Sequence, residues 1–448
     1  MFSIPRSSSM EYFPPPSYNE VVRTHANDIA LHQIPFSIPN IRVTFMDFLP
    51  VCIRDNDIFS NTRYEPFSKL IDKANNWLSE HNNFAVINCE TVCAAKDPEK
   101  SYIDSKLTSL TPAILEESEF SINMIKFLRL YLRSKTETDP SEANQIGYYN
   151  IVPNLNDSEN ENSIQKHGPI ESTIRKFNNF ILQNSINGKI INLETVGYSK
   201  KHFPENPEES RYHENTFDNS ENSIILRIFY MKGSPTYEQI GTIEFLPNHN
   251  NYGRNSPVAV YDSTGELIER AQRWLEQHNT ARVLNLQTTN IDFKKAMKKE
   301  TLRSIEDLRS KYCLEKTLSS LRLYYIIGES PLSFSTIGGI SARTFTPALL
   351  VQKTCRMHEF ETLDKLFERE IIPYLNYNSN ARIINAETVP YFISNSSELS
   401  VYSKKRRPEI ILTCIRIYFD TPVSEPPPGF IHKSEPPIFE QEGCCNVL

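Results

Sequence analysis

A helix followed by a strand, written four times along the chain, constrains this sequence more than any other feature. The clearest copy is Ile71–Val92, IDKANNWLSEHNNFAVINCETV. Phe67, Leu70, Ile71, Ala74, Trp77 and Leu78 fall at i, i+3, i+4, i+7, i+10 and i+11, one stripe of an α-helix. Ser79–Asn83 breaks that stripe, and Phe84–Val92 reads as a strand carrying Asn88-Cys89-Glu90-Thr91. The quartet returns as Asn192-Leu193-Glu194-Thr195, Asn285-Leu286-Gln287-Thr288 and Asn385-Ala386-Glu387-Thr388. The asparagines are roughly 93 to 104 residues apart, one repeat length.

The preceding helix stripe recurs with them. Its members are Ile170, Ile174, Phe177, Phe180 and Ile181, then Leu267, Ile268, Ala271, Trp274 and Leu275, then Leu363, Leu366, Phe367, Ile371, Tyr374 and Leu375. Trp77, Phe180, Trp274 and Tyr374 share one position and are expected to anchor a core. Pro373 is expected to kink or end the fourth helix.

A strand opens each copy and stops at a proline: Val43–Leu49, Tyr148–Val152, Thr242–Leu246 and Thr344–Thr346, before Pro50, Pro153, Pro247 and Pro347. Two openings share Gln-Ile-Gly, at 145–147 and 239–241. A further strand closes each copy: LRLYL at Leu128–Leu132, LRIFY at Leu226–Tyr230, LRLYY at Leu321–Tyr325 and IRIYF at Ile415–Phe419. The segment between second and third strands varies; Phe293–Tyr312 looks helical and charged, a surface insertion.

The fold expected is α+β: four tandem β-α-β-β repeats of roughly 90–100 residues, each a small sheet covered by an amphipathic helix, with flexible tails. The boundaries are 1–34 for an N-terminal tail, 35–136, 137–233, 234–330 and 331–420 for the repeats, and 421–448 for a proline-rich stalk.

Strand alternation puts Asn88 and Glu90 on one face and Ile87, Cys89 and Thr91 on the other. The repeated Asn, Glu and Arg invite an active-site reading. A cross-strand ion pair beside a capping Asn is the better one, because four catalytic copies are unusual and the copy with Gln287 would be dead. The expected pairs are Glu90–Arg129, Glu194–Arg227 and Glu387–Arg416, leaving Arg322 without a counter-charge. No GxGxxG, GxxxxGK[ST], HExxH or GxSxG is present, so no catalytic residue, metal site or cofactor is assigned.

A net charge of −7 argues against nucleic-acid binding, which needs a basic surface to neutralise phosphates. No apolar run reaches the roughly 18–20 residues that span a bilayer. The first residues lack the apolar core of a signal peptide. Of eight cysteines, six are scattered without paired spacing, which fits reduced thiols of the cytoplasm rather than a disulfide framework.

Two short motifs lie outside the repeats. Pro15-Pro16-Ser17-Tyr18 is a PPxY sequence whose prolines preset a polyproline II rod that Tyr18 anchors. It resembles the ligand of WW domains, such as those of HECT-type ubiquitin ligases. At the other end, Cys445-Asn446-Val447-Leu448 resembles a CaaX prenylation signal, and its leucine implies geranylgeranyl. One prenyl chain binds only marginally, so a second signal is needed. Lys433 stands nearly alone among Glu435, Glu440 and Glu442, which leaves Cys444, as a palmitoylation site, to supply it.

These features imply a non-catalytic adaptor on the cytoplasmic face of a membrane, lipid-anchored at one end and recruiting a WW-domain protein at the other. The competing class is an enzyme, or a lipid- or ligand-binding protein, with its site between repeats. The basic runs Lys200-Lys201-His202 and Lys404-Lys405-Arg406-Arg407 then meet headgroups or phosphates.

Overall fold

The computed structural model describes residues 43–54, 63–95, 104–110, 121–137, 139, 144–153, 170–199, 206–215, 222–250, 260–278, 282–292, 308–309, 317–327, 339–353, 358–393, 410–431 and 437–440. All fall in one compact unit, Asn40–Leu448. The fold is mixed α+β, with small antiparallel sheets. Twelve long strands make four three-stranded cores: β1 (Val43–Phe48), β2 (Phe84–Ala95) and β3 (Ser121–Ser134); β4 (Ile146–Ile151), β5 (Ile186–Ser199) and β6 (Asn222–Thr236); β7 (Gln239–Phe245), β8 (Arg282–Asp292) and β9 (Thr317–Ile327); β10 (Ser341–Phe345), β11 (Ile383–Ile393) and β12 (Ile410–Phe419). In each core the third strand lies between the first and second, antiparallel to both.

Between first and second strands runs a helix: α1 (Phe67–Glu80), α2 (Ile170–Gln183) and α3 (Thr264–Gln277). Ser263 and Glu266 start α3 with a reciprocal capping box. The aromatic and the residue four places on finish each helix. His81 Nδ1 meets Trp77 O at 2.9 Å and His278 Nδ1 meets Trp274 O at 2.8 Å, while Asn184 and Asn378 donate to Phe180 O and Tyr374 O at 3.2 Å. Each side chain adds a donor to a carbonyl of the last turn; those of Trp77, Phe180 and Tyr374 also accept the same residue's backbone N–H.

The fourth helical segment does not stop at Pro373. It runs α (Leu363–Leu366), π (Phe367–Ile371), then α (Ile372–Tyr377). The wider π turn accommodates a proline that cannot donate and that crowds the carbonyl of the preceding turn. Phe180 also departs from expectation: it is 39% exposed, edge-on to Tyr149, rather than a core anchor.

Each helix is buried on two sides. The core around Phe67, Leu70, Ala74 and Leu78 takes Leu128, Leu130 and Leu132 from its own sheet and Ile146 and Phe229 from the next. The same holds for α2 with Ile240, Leu284 and Tyr324, and for α3 with Ile340 and Tyr418. The fourth segment packs Leu366, Phe367 and Tyr374 against Val43, Phe45 and Tyr131 of the first sheet, which closes a ring.

A β-bulge precedes every Asn of the quartet, at Val86/Asn88, Phe229/Tyr230 opposite Ile190–Asn192, Val283/Asn285 and Ile383/Asn385. The extra residue shifts the alternation. Ile87 therefore packs against the core of the fourth unit, not with Cys89 on the face of its own helix.

First and second strands run parallel, so each unit places both their C-terminal ends and the helix start together. Insertions and the short hairpins Cys52–Arg54/Arg63–Tyr64, His249–Asn250/Val260–Tyr261 and Leu349–Lys353/Glu359–Phe360 gather there, at what is termed the insertion end. The opposite, turn end holds the helix C-termini and the links between units. Within the 293–312 stretch expected to be helical, Leu308–Arg309 is a strand on β8; residues 293–307 lie outside the described residues.

Gly147 and Gly241 face Tyr230 and Tyr325 across the ladder. A Cβ there would meet the ring at 2.2 and 2.3 Å, which accounts for the shared Gln-Ile-Gly.

Candidate functional site

The four quartets meet at the middle of the ring, and there the Asn side chains act between units. Asn192 Nδ2 donates to Cys89 O at 2.7 Å, and its Oδ1 accepts from Cys89 N–H at 3.1 Å. Asn285 does the same to Leu193, Asn385 to Leu286, and Asn88 to Ala386, across all four junctions. A primary amide matches a strand's N–H and C=O as a second strand would, so each Asn substitutes for one rung of ladder.

Two residues on, the acidic position repeats the operation. Thr91 N–H donates to both oxygens of Glu194 (3.1 and 3.0 Å), Thr388 N–H to both of Glu90 (2.9 Å each), and Thr288 N–H to Glu387 at 2.9 Å. Gln287 still accepts, from Thr195 N–H at 3.1 Å and from its hydroxyl at 3.2 Å. Both ladders advance in the same direction, so the four second strands are mutually parallel and the whole ring shares one insertion end.

The predicted ion-pair residues stand opposite one another in register: Glu90 with Arg129, Glu194 with Arg227, Glu387 with Arg416. Arg416 Nη1 lies 3.8 Å from Glu387. Arg129 instead places Nε and Nη2 on Asp47 at 2.7 and 2.8 Å. Arg227 Nε donates to Asn150 at 2.8 Å. Their Nη1 atoms cross the junction to a Thr hydroxyl: Arg129 to Thr388 (3.2 Å), Arg227 to Thr91 (2.7 Å), Arg416 to Thr288 (2.7 Å). Arg322 does not lack a counter-charge: Nη2 sits 2.8 Å from Glu244, one strand over, while Nε and Nη1 have no hydrogen-bond partner. The first-strand position facing each arginine reads Asp47, Asn150, Glu244 and Thr344, four different residues, so no repeated letter signalled it.

Electrostatics follow this geometry. Burial raises Glu194 above the usual carboxylate value despite Arg227 and the Thr91 bonds. Desolvation also pushes the half-buried Glu244 up, yet Arg322 with Ser320 and Thr289 brings it below that value. Burial pulls Arg129 down, but Asp47 more than offsets this and the net shift is upward. Burial lowers Lys126 to about 8, with Arg227 adding to the effect. Glu194 accepts a backbone N–H across the junction, whereas Glu244 accepts the Arg322 guanidinium and the Ser320 and Thr289 hydroxyls.

Among the described residues no cluster of His, Cys, Asp and Glu is arranged to hold a metal ion, and no helix is long and apolar enough to cross a membrane. Cys52, Cys89 and Cys414 are free thiols, and burial pushes Cys89 and Cys414 up. Pro15, Pro16, Tyr18, Cys444, Cys445, Lys200–His202 and Lys404–Arg407 lie outside the described residues.

The chain after β12 departs from a free stalk. Asp420 pairs with Arg382 at 2.8 Å, Ser424 exchanges two hydrogen bonds with the Asn378 amide (2.9 and 3.0 Å), and Phe430 rests edge-on to Tyr377. Val423 and Ile431 pack on the core beneath. Ile438–Glu440 then pairs parallel with Leu349–Lys353. No sequence signal marked Ile438–Glu440 as a strand, because its partner is supplied by tertiary structure.

No protein family, curated protein or solved structure matches this chain.

Proposed function

We propose that the chain is a non-catalytic scaffold of four tandem β-α-β-β repeats, at 35–136, 137–233, 234–330 and 331–420. On this reading a lipid on Cys445, aided by Cys444, tethers it to the cytoplasmic face of a membrane, and Pro15, Pro16 and Tyr18 recruit a WW-domain protein such as a HECT-type ubiquitin ligase. The carrying observation is that the repeated polar set is consumed in holding unit to unit: every Asn and every Glu or Gln of the quartets bonds the neighbouring strand. A rigid closed body that spends its recurring polar groups internally is suited to holding two signals apart.

The test is a pull-down on a WW-domain array with wild type and Tyr18→Ala, run beside metabolic labelling with a geranylgeranyl analogue in wild type and Cys445→Ser. Capture that needs Tyr18 and label that needs Cys445 support the adaptor. Capture indifferent to Tyr18, or label equal in both proteins, removes the corresponding half.

A second reading, a ligand site between repeats, draws on Arg322, a buried guanidinium with two unpartnered nitrogens at the junction of the second and third units. Small-molecule binding that Arg322→Met abolishes would favour it.

A further inference from the structure

We propose that the insertion end of the ring is a lipid-binding face, with Val51, Ile53 and Ile438 entering the membrane surface, and that the C-terminal strap fixes this orientation. The proposal rests on the lipidation of Cys445 just put forward.

β12 ends at the turn end, and the next dozen residues stay there. Asp420 is held by Arg382 at the start of β11, Ser341 Oγ at the start of β10 donates to Thr421 O, and Ser424 is clamped by Asn378 at the helix C-terminus. From Ile431 the chain reaches the opposite end by Ile438, in seven residues. At about 3.3 Å per residue those span roughly 23 Å. The fifteen-residue helical segment alongside is about 22 Å long at 1.5 Å per residue. The proline-rich strap is therefore held to the fourth unit at both ends, through Asp420–Ile431 at the turn end and Ile438–Glu440 at the insertion end.

The direction of the last strand sets where a lipid on Cys445 is delivered. Leu349–Lys353 leads away from the end of β10 toward its hairpin tip, and Ile438–Glu440 runs parallel to it, Ile438 beside Val351 and Glu440 beside Lys353. The chain thus leaves at the tip. Five residues separate Glu440 from Cys445, a reach of at most about 17 Å. That is less than the length of the helix, so with the strap docked the lipid is confined to the insertion end.

That end presents apolar side chains on adjoining units. Val51 (58% exposed) and Ile53 (64%) lie on the hairpin of the first unit, and Ile438 (65%) lies on the strap. The first and fourth units join here: Ser109–Leu110 adds to β12, and Leu363 N–H donates to Lys106 O at 3.0 Å. The turn end has exposed apolar residues too, notably Leu182 (60%) and Tyr237 (63%). Exposure alone does not choose between the ends; the strap does. Since a single prenyl chain binds marginally, shallow insertion of two or three aliphatic side chains supplies a second signal of the size required.

The experiment uses the full-length lipidated protein, its mass confirming the geranylgeranyl group, on phosphatidylcholine vesicles with and without phosphatidylserine. Hydroxyl-radical footprinting should show Val51, Ile53 and Ile438 losing label on vesicle binding while Leu182 and Tyr237 keep theirs. Val51→Ser with Ile53→Ser should weaken vesicle partitioning on the order of tenfold. A chain without the lipid mass overturns both the tether and the face. A lipidated, vesicle-bound chain with Leu182 and Tyr237 protected, or with no end protected, overturns the face alone. Protection of Val51 and Ile53 that appears without vesicles as concentration rises assigns the surface to a second copy, and also overturns it.

Discussion

In the fourth unit the carboxylate facing the buried arginine is Glu387 on the second strand, and the first strand carries Thr344. In the third unit the second strand carries Gln287 and the carboxylate has moved to the first strand, as Glu244. The arginines, Arg416 and Arg322, occupy the same register, with side chains 13% and 2% exposed. The comparison separates two jobs. Neutralising the guanidinium can be done from either flanking strand. Clamping the Thr N–H of the preceding unit needs only an acceptor at the second-strand position, and an amide oxygen serves. The third unit divides between two residues what Glu387 does alone.

The division makes Glu244 the most consequential carboxylate to remove. Glu244→Gln leaves Arg322 buried with no counter-charge, in a junction where two of its nitrogens already lack partners. We expect a loss of about 3–5 kcal/mol in urea unfolding. Adding Gln287→Glu restores the fourth unit's arrangement and should recover all but about 1 kcal/mol. A double variant no better than the single would mean that the two positions are not interchangeable.

The Asn clamps extend the comparison to the whole ring. Asn192→Ala removes two hydrogen bonds and strands a buried N–H and C=O of Cys89, with an expected loss of about 2–3 kcal/mol. Asn88→Ala should cost the same if the closing junction is as tight as the others. That junction lacks one device that the other three carry. Asn75 and Asn178 each bond both backbone groups of the next first strand, at Ile146 and Ile240, and Gln272 accepts from Ile340 N–H. Ile372 holds the matching position in the fourth segment and has no polar side chain. An Asn88→Ala effect near zero would show that the ring opens there.

How far all this was legible in the sequence depends on the length scale. Helix stripes and third strands are local periodicities, and they were readable because burial enforces them residue by residue. The bulge before each Asn was not, since one inserted residue leaves the letters unchanged while turning Ile87 toward another unit's core. The Arg–Glu register was readable, but the partner on the first strand was not, because Asp47, Asn150, Glu244 and Thr344 share no chemistry. The three sequential junctions depend on bonds across about a hundred residues and ring closure on bonds across 298, which no local pattern encodes. Proline content in the tail suggested an extended spacer, but not that the chain from Thr421 to Ile431 lies against the body.

The acidic groups of the second and third units should respond to pH in opposite directions. Glu244 has its folded value below the ordinary one, near 4.5. Its contribution is therefore present above that ordinary value and is lost as pH falls through the lowered one. Glu194 has its folded value raised, so its charged form disfavours the fold at neutral pH. That penalty disappears as pH falls through the raised value. The unit differs chemically as well: Tyr131, Tyr324 and Tyr418 donate to Glu90, Gln287 and Glu387, whereas Phe229 at the same place cannot. Arg227 keeps Glu208 as a second carboxylate nearby, so Glu194→Gln is expected to be neutral or mildly stabilising at pH 7, and its difference from wild type should shrink on acidification. The Glu244→Gln deficit should also shrink, from the opposite sign. Two curves of the same sign would break the contrast between the units.

The smallest expected effect concerns the helix ends, where the units differ in residue but agree in geometry. His81 and His278 stack on Trp77 and Trp274, with ring centroids 4.2 and 4.1 Å apart, and reach the aromatic residue's carbonyl; Asn184 and Asn378 reach the equivalent carbonyl without stacking on an indole. If the carbonyl is what matters, His278→Asn should be tolerated within about 0.5 kcal/mol, while His278→Ala loses about 0.5–1 kcal/mol by leaving the last turn unsatisfied. If stacking on Trp274 matters more, both variants lose equally. Asn378 provides the control, because the same amide also clamps Ser424. Asn378→His keeps a donor for the Tyr374 carbonyl but cannot match both backbone groups of Ser424. Its effect should therefore appear as faster amide exchange at Ser424, with the end of the fourth helix unchanged.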